Sequence, residues 1–383
     1  MKKSIWWQNS IWFLVSLLCV FFFSSCESVR SDPCGGVLTN PYGQQKGNLL
    51  IFYGIEYGGG FYKEGIFVYD LDNKKLINLS SLTGNQGFDW SSDSPGRLGI
   101  QDEKFNKICD INLEGEVFNQ HSYLSSWYFL SPLGDRVAFI DKENRAYLVD
   151  LKNEQAREID TQGYAVFDLS WNPDGETLLM GLTSDIMTFY SSQGSFKLAT
   201  VLKDGTGLSF MTKKYTGLCN SMEWSPDGSW VTFNQIKPGM SYLRGVQFSH
   251  PLDVKLFYSS DKVINNAVWS FNSRKIAMSV GNSEGGDIEI IDLDTGKVEV
   301  ISPSKELLNM WRLIHSVRWV TEDKLAVAGT LKNDPNVKSF GEGYSTFSLH
   351  LLDINTKEIV SLASTQFTSI QKLTYWDMTD ETP

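Results

Sequence analysis

Along most of the chain, apolar and polar positions alternate in short runs separated by clusters of Gly, Pro, Asn, Asp and Ser, a pattern that predicts half-buried β-strands joined by tight turns. The clearest stretch is Met222-Glu223-Trp224-Ser225-Pro226-Asp227-Gly228, followed by apolar alternation over residues 230–233. A second copy reads Leu169-Ser170-Trp171-Asn172-Pro173-Asp174-Gly175, followed by residues 177–180. Pro, Asp and Gly supply a fixed φ, a side-chain acceptor and a positive-φ position, which together make a turn between two strands.

Weaker copies share this frame. Trp90, Leu130, Trp269 and Trp319 each stand before a turn-forming segment. A second landmark closes a later strand on an acidic turn, at Asp70, Asp110, Asp150, Asp292 and Asp353, and the first three are 40 residues apart. Two interleaved landmarks at one period, with four short strands per period, describe a propeller blade. Trp-Ser-Pro-Asp-Gly in this setting resembles the WD-repeat-like repeats of TolB-like β-propellers, over roughly residues 48–378. The fold implied is all-β, a β-propeller of four-stranded antiparallel blades.

Inner strands end at Trp90, Leu130, Trp171, Trp224, Trp269, Trp319 and Trp376, which counts seven blades, or six if residues 90–118 are irregular. Residues 373–376 form an inner strand with no blade after it, whereas residues 49–80 supply three strands with no inner strand before them. Pairing the two closes the ring and leaves no unpaired inner edge.

Strand order also sorts the loops. Tight turns lie on one plain face, and residues 54–65, 203–220, 235–242, 303–314 and 329–346 are insertions on the opposite, elaborated face, where binding is expected. The candidate binding residues there are Tyr57, Tyr62, Tyr215, Tyr242, Trp311, Arg312 and Tyr344, with Phe61, Lys213, Lys214 and Asn309 beside them. An aromatic ring next to an amide or a guanidinium suits a sugar, a peptide or a partner loop.

Charge narrows the partners. The chain of 383 residues carries a formal charge of −11, and its first 25 residues hold Lys2 and Lys3 but no acid, so the remainder is more acidic still. An acidic surface repels phosphate backbones, and nucleic acid is not an expected partner.

Lys2 and Lys3 precede an uncharged run over residues 11–23 that ends in Ser24-Ser25-Cys26. At 13 residues that run is short for a spanning helix, which needs about 20, and reads as an export signal. Small residues before a cysteine resemble the lipobox of bacterial lipoproteins. The resemblance implies lipid on Cys26 and a membrane contact made through that anchor alone, although Phe23 departs from the usual aliphatic residue. The expected organisation is signal and lipobox at 1–26, a Ser/Gly/Pro/Asn-rich tether at 27–47, the propeller at 48–378 and a tail at 379–383. Cys34, Cys109 and Cys219 remain, an odd number without a CxxC pair; Cys109 is expected as a buried thiol.

Catalytic signals are thin. No HExxH, GxSxG or P-loop occurs, and Gly205-Thr206-Gly207 is followed by Phe210 where a dinucleotide motif needs Gly. Some serine peptidases carry such a propeller beside a hydrolase domain, but only seven residues follow Trp376 and no such domain is expected. Oligogalacturonate lyases use a similar propeller and several His ligands; here the histidines are His121, His250, His315 and His350, with only His121 and His315 on the elaborated face. The expectation is a non-catalytic envelope lipoprotein that binds a protein, peptide or glycan, with no cofactor and no metal. The alternative is a polysaccharide-acting enzyme of the metal-dependent lyase type at the channel mouth.

Overall fold

The computed structural model describes residues 48–58, 61–78, 88–90, 97–102, 107–112, 117–122, 127–153, 155–189, 194–282, 285–301, 311–331, 348–362 and 367–377. The strands are β1 (Asn48–Gly58), β2 (Phe61–Asp70), β3 (Lys75–Asn78), β4 (Phe88–Trp90), β5 (Arg97–Asp102), β6 (Lys107–Asn112), β7 (Val117–Ser122), β8 (Trp127–Leu130), β9 (Arg136–Ile140), β10 (Ala146–Asp150) and β11 (Gln155–Glu158). There follow β12 (Ala165–Trp171), β13 (Thr177–Thr183), a single turn of helix α1 (Ile186–Phe189), β14 (Ser195–Leu202), β15 (Ser209–Phe210), β16 (Tyr215–Thr216), β17 (Leu218–Trp224), β18 (Trp230–Lys237), β19 (Met240–Gln247) and β20 (Val254–Ser260). The chain continues through β21 (Val263–Trp269), β22 (Lys275–Asn282), β23 (Gly285–Asp292), β24 (Val298–Val300), β25 (Trp311–Thr321), β26 (Lys324–Leu331), β27 (Ser348–Asp353), β28 (Ile359–Ser361) and β29 (Phe367–Asp377).

Pairing is antiparallel and local. The sheets run β4-β5-β6-β7, β8-β9-β10-β11, β12-β13-β14 with β15 and β16 sharing the outer place, and β17-β18-β19-β20. A larger sheet contains β21-β22-β23-β24 and β25-β26-β27-β28, joined through the single pair Gly286↔Trp311. The remaining sheet is β29-β1-β2-β3, in which Leu49 faces Trp376 and Ile51 faces Thr374. The C-terminal strand therefore completes the sheet that β1 begins, as the strand count anticipated.

The first strands contact one another in chain order, β4 with β8, β8 with β12, β12 with β17, β17 with β21, β21 with β25 and β25 with β29. Apolar burial sits between successive sheets. Phe196, Leu198 and Leu179 of one sheet pack on Val231, Phe233 and Val246 of the next, and Leu50, Phe52 and Phe67 pack on Ala326, Ala328 and Leu349 across the closing sheet. Strands buried on both faces explain why all seven residues of β13 are buried. Among the described residues, no helix is long and apolar enough to cross a membrane.

The Trp landmark has a physical reason. Each landmark indole whose side chain is described reaches back to the preceding sheet and donates there: Trp171 Nε1 to Phe129 O at 3.0 Å, Trp224 to Ser170 O at 3.1 Å, Trp269 to Thr232 Oγ1 at 3.0 Å and Trp319 to Val268 O at 3.1 Å. One side chain thus buries a large ring and satisfies its own N–H while joining neighbouring units. The acidic landmark is equally local. The Asp353 carboxylate accepts from the N–H groups of Asn355 and Thr356, both at 2.9 Å, and Asp70, Asp150 and Asp292 close their turns in the same way.

The turns after Leu130, Trp171, Trp224 and Trp269 repeat one hydrogen-bond frame. The N–H groups of Ser131, Asn172, Ser225 and Ser270 donate to the first residue after the turn, and their carbonyls accept from the residue three positions on. That third position needs positive φ: Gly134, Gly175 and Gly228 supply it, and Ser273 adopts φ 58° in the weaker copy. At Gly228 a Cβ would also lie 2.7 Å from Asn172 Oδ1 of the preceding turn.

Asp227 gathers this turn, accepting from the Ser225 hydroxyl, Ser229 N–H at 3.0 Å and the Ser229 hydroxyl at 2.8 Å. Burial acts to raise its pKa, but these hydrogen bonds outweigh it and hold the carboxyl below its ordinary value. Asp227→Ala is expected to cost about 1 kcal/mol of stability by urea titration at neutral pH, with a smaller difference in acid, where the carboxylate is protonated in both states.

Candidate functional site

Of the sequence candidates, the structure brings Tyr215 and Tyr242 together. Register explains how. Gln235 pairs with Tyr242 and Phe233 with Arg244 across β18 and β19, so Phe233, Gln235, Tyr242 and Arg244 share one face of that sheet, the face packed against the preceding sheet. Tyr215 arrives from β16 of that preceding sheet and stacks on Phe196, with centroids 5.9 Å apart. The Arg244 guanidinium then lies 5.2 Å from the Tyr215 ring and 5.2 Å from the Tyr242 ring. Its Nε donates to Gln235 Oε1 at 2.8 Å, and the fully buried Gln235 donates from Nε2 to Thr216 O at 2.6 Å. Lys237 Nζ sits 5.9 Å from the other neighbour, the Tyr242 ring.

Tyr57 and Tyr62 face each other in the β1–β2 hairpin, and Trp311 and Arg312 open β25; the side chains of these four lie outside the described residues. Tyr344 and Cys26 lie outside them altogether, as does the 1–47 segment.

Three insertions need correcting. Residues 54–65 and 235–242 are largely not loops: pairing continues through Gly58↔Phe61 and Lys237↔Met240, so each is a lengthened hairpin. Residues 203–207 lie on the plain face. Lys203 N–H donates to Glu176 O at 2.9 Å, beside the Asp174-Gly175 turn, and its ammonium pairs with the Glu176 carboxylate. The segment counted as an insertion because of its length; as the turn from β14 into the outer strand β15 it falls on the plain face.

A second charged assembly joins the first strands. Arg318 of β25 donates from Nη1 to Glu223 Oε1 of β17 at 2.9 Å and from Nε to the Leu373 carbonyl of β29 at 3.1 Å. β21 lies between β17 and β25 in the series of first-strand contacts, so the arginine reaches across a whole intervening sheet. Burial raises the Glu223 pKa above its ordinary range, and the Arg318 charge only partly offsets this. Sequence reasoning missed Glu223, Arg318, Gln235 and Arg244. Glu223 and Arg318 each directly precede a landmark Trp, a signal the repeat frame contains.

Cys219 is a buried free thiol whose pKa burial raises, which leaves it unreactive at neutral pH; the Cys109 side chain lies outside the described residues. His350 is buried with Nδ1 at 3.1 Å from the Ser361 hydroxyl, and exposed His250 contacts Ser249. Among the described residues, no group of three or more His, Cys, Asp and Glu is placed to hold a metal. On the plain face a cleft of about 440 Å³ opens between β23–β24 and the turn joining β27 to β28, where Lys275, Lys297 and Lys357 meet Asp292 and Glu299 above Ile290, Ile301 and Ile354. Lys357 is held by Glu299 Oε1 at 2.7 Å and by the Ile354 carbonyl.

No protein-family model matches the chain, and no curated protein matches it in sequence. Solved structures do. The β-propeller domain of Cps50 from Myceliophteria thermophila is 14% identical, aligns with 74% of this chain and 94% of its own, and superposes with a TM-score of 0.52. A hypothetical selenium-binding protein from Sulfolobus tokodaii is 9% identical, with 86% and 94% covered and a TM-score of 0.57. TolB from Acinetobacter baumannii is 16% identical, with 85% and 82% covered and a TM-score of 0.44. The fold is a β-propeller built of four-stranded antiparallel sheets. Such likeness defines the architecture and leaves the chemistry to the side chains.

Proposed function

We propose that this chain is a non-catalytic binding propeller of the bacterial envelope, seven-bladed, exported, and held at a membrane by lipid on Cys26. Its elaborated face presents the binding surface to a protein, peptide or glycan. The observation that carries this reading is the meeting of Tyr215 and Tyr242, from two different sheets, around one oriented guanidinium. Aromatic and arginine side chains held by a rigid scaffold are the usual anchors of an interface. Trp311, Arg312, Tyr57, Tyr62 and Tyr344 extend the same surface in this reading, and residues 27–47 act as the tether.

Capture by the full-length, affinity-tagged chain from detergent-solubilised envelopes tests the face. Trp311→Ala is expected to weaken capture by roughly 2 kcal/mol with little change in melting midpoint, whereas Asp227→Ala, on the plain face, leaves capture intact. Loss of capture on the Asp227 substitution alone would assign function to the plain face instead. For the anchor, Cys26→Ala is expected to abolish incorporation of labelled fatty acid; label persisting in that variant refutes the assignment.

A further inference from the structure

We infer that Arg244 is the anchor of a carboxylate-binding site on the elaborated face, and that its ligand is an acidic peptide segment of a protein partner. The inference rests on the binding reading above and adds the chemistry of the ligand.

Among the described residues, arginines of this acidic chain usually find an acid. Among the arginines whose side chains are described, Arg136 pairs with Asp150, Arg145 with Asp141, Arg274 with Asp294 and Arg318 with Glu223, and Arg157 bonds the Asp204 carbonyl. Arg244 differs. Among the described residues its charge meets two tyrosine rings and one neutral amide, with no carboxylate in ion-pair range.

What those contacts leave open is specific. The guanidinium carbon lies within cation–π range of both tyrosine rings, 5.2 Å from each centroid, while Gln235 fixes the Nε edge. Gln235 is itself buried and bonded to the Thr216 carbonyl, so the guanidinium is oriented by a side chain that cannot move freely. The Nη1 and Nη2 donors have no partner among the described residues. A planar fork held this way matches the two oxygens of a carboxylate, and its ordering cost is already met before a ligand arrives.

The surroundings favour an extended polyanion over a lone ion. Lys213 and Lys214 are exposed immediately before Tyr215, between β15 and β16, and the half-buried Lys237 leans toward Tyr242. With Arg244 these provide four cations within residues 213–244 of a chain whose net charge is −11. A peptide with acidic side chains at successive positions would place one carboxylate on the fork and others near the lysines.

The test is titration of the full-length detergent-solubilised chain with a labelled oligoglutamate peptide, alongside oligoglutamine, polygalacturonate and inorganic phosphate. Saturable oligoglutamate binding is expected, at least about tenfold weaker in Arg244→Gln, a difference of about 1.4 kcal/mol. Arg244→Lys keeps the charge but loses the fork and is expected to bind nearly as poorly. The exposed pair Lys213→Gln and Lys214→Gln, which cannot disturb packing, should weaken binding severalfold and flatten its salt dependence.

Oligoglutamine binding as well as oligoglutamate, or wild-type affinity in Arg244→Lys, overturns the carboxylate fork. Equal or tighter binding of polygalacturonate or phosphate overturns the peptide assignment. Oligoglutamate binding that none of these substitutions alters overturns the site. If Trp311→Ala abolishes envelope capture while Arg244→Gln leaves it unchanged, the binding face stands and this inference falls. Oligoglutamate binding by a chain that captures no envelope partner gives the converse.

Discussion

Deleting residues 367–377 is expected to abolish the cooperative unfolding transition of the β body, not merely to lower its midpoint. β29 is the only described strand that pairs with the free side of β1, across eight register positions from Asn48↔Asp377 to Glu56↔Phe367. Its loss would expose a long apolar edge, Leu49-Leu50-Ile51-Phe52-Tyr53, all of it buried in the intact protein. It would also remove Phe367, fully buried and edge-on to Phe52 at 5.2 Å and Phe67 at 5.0 Å, and Leu373, whose carbonyl receives Arg318. Because β29 both pairs with β1 and contacts β25 of the neighbouring sheet, its loss loosens two packed sheets at once. Thermal melts followed by circular dichroism should therefore show a broad, non-cooperative loss of signal. The single substitution Phe367→Ala should preserve two-state behaviour and cost about 3 to 5 kcal/mol. A deletion variant that keeps its midpoint would show that β29 does not close the ring.

The second large effect concerns Arg318. It is the one described side chain that ties three first strands together, and its removal leaves the half-buried Glu223 without its ion-pair partner. Breaking a fully buried pair costs about 3 to 5 kcal/mol, but the two side chains are 34% and 27% exposed, and solvent screening reduces the expected cost of Arg318→Ala to about 2 kcal/mol. The pH dependence separates charge from packing. The folded-state pKa of Glu223 is raised, so between the ordinary glutamate value and the raised one the native protein holds a proton that the unfolded chain has lost. Stability from this group therefore falls as pH rises through that window. Glu223→Gln, which keeps an acceptor for Arg318 without the titration, should gain stability relative to wild type as pH rises across it. Arg318→Ala should lose stability over the same range. Urea midpoints measured at several pH values check both; parallel curves for wild type and Glu223→Gln would exclude the raised pKa.

The unequal legibility of these features follows from how far apart their parts lie in the chain. Repeats, turn chemistry and the Asp closures depend on neighbours a few residues away. The Ser225–Gly228 frame and the Asp353 turn are accordingly written in consecutive letters, and their spacing was enough to predict strand ends at Trp171, Trp224 and Trp269. Closure was readable too, because an unpaired first strand at one end and a missing one at the other leave a single consistent pairing. Insertion length was a poorer guide. Residues 54–65 and 235–242 are much longer than a turn, yet they extend hairpins, because short alternations such as Ile55-Glu56-Tyr57 and Met240-Ser241-Tyr242 suit a strand as well as a loop.

The side chains that build the candidate site were beyond local reading. Tyr215 and Tyr242 could be nominated as aromatics outside the repeat core, but Arg244 and Gln235 join them only through register, which puts alternate residues of paired strands on one face, and through the packing of one sheet on the next. Glu223 and Arg318 are 95 residues apart, and the position before each landmark Trp gains its meaning only when the first strands gather around one axis. The sequence by itself determined the repeating unit, its turns and its closure, because those are set by short-range hydrogen bonding and by a period that any copy reveals. Only the tertiary structure decided which charges meet, since a cation's partner is chosen by distance in space, and in a ring of sheets that distance is unrelated to separation along the chain.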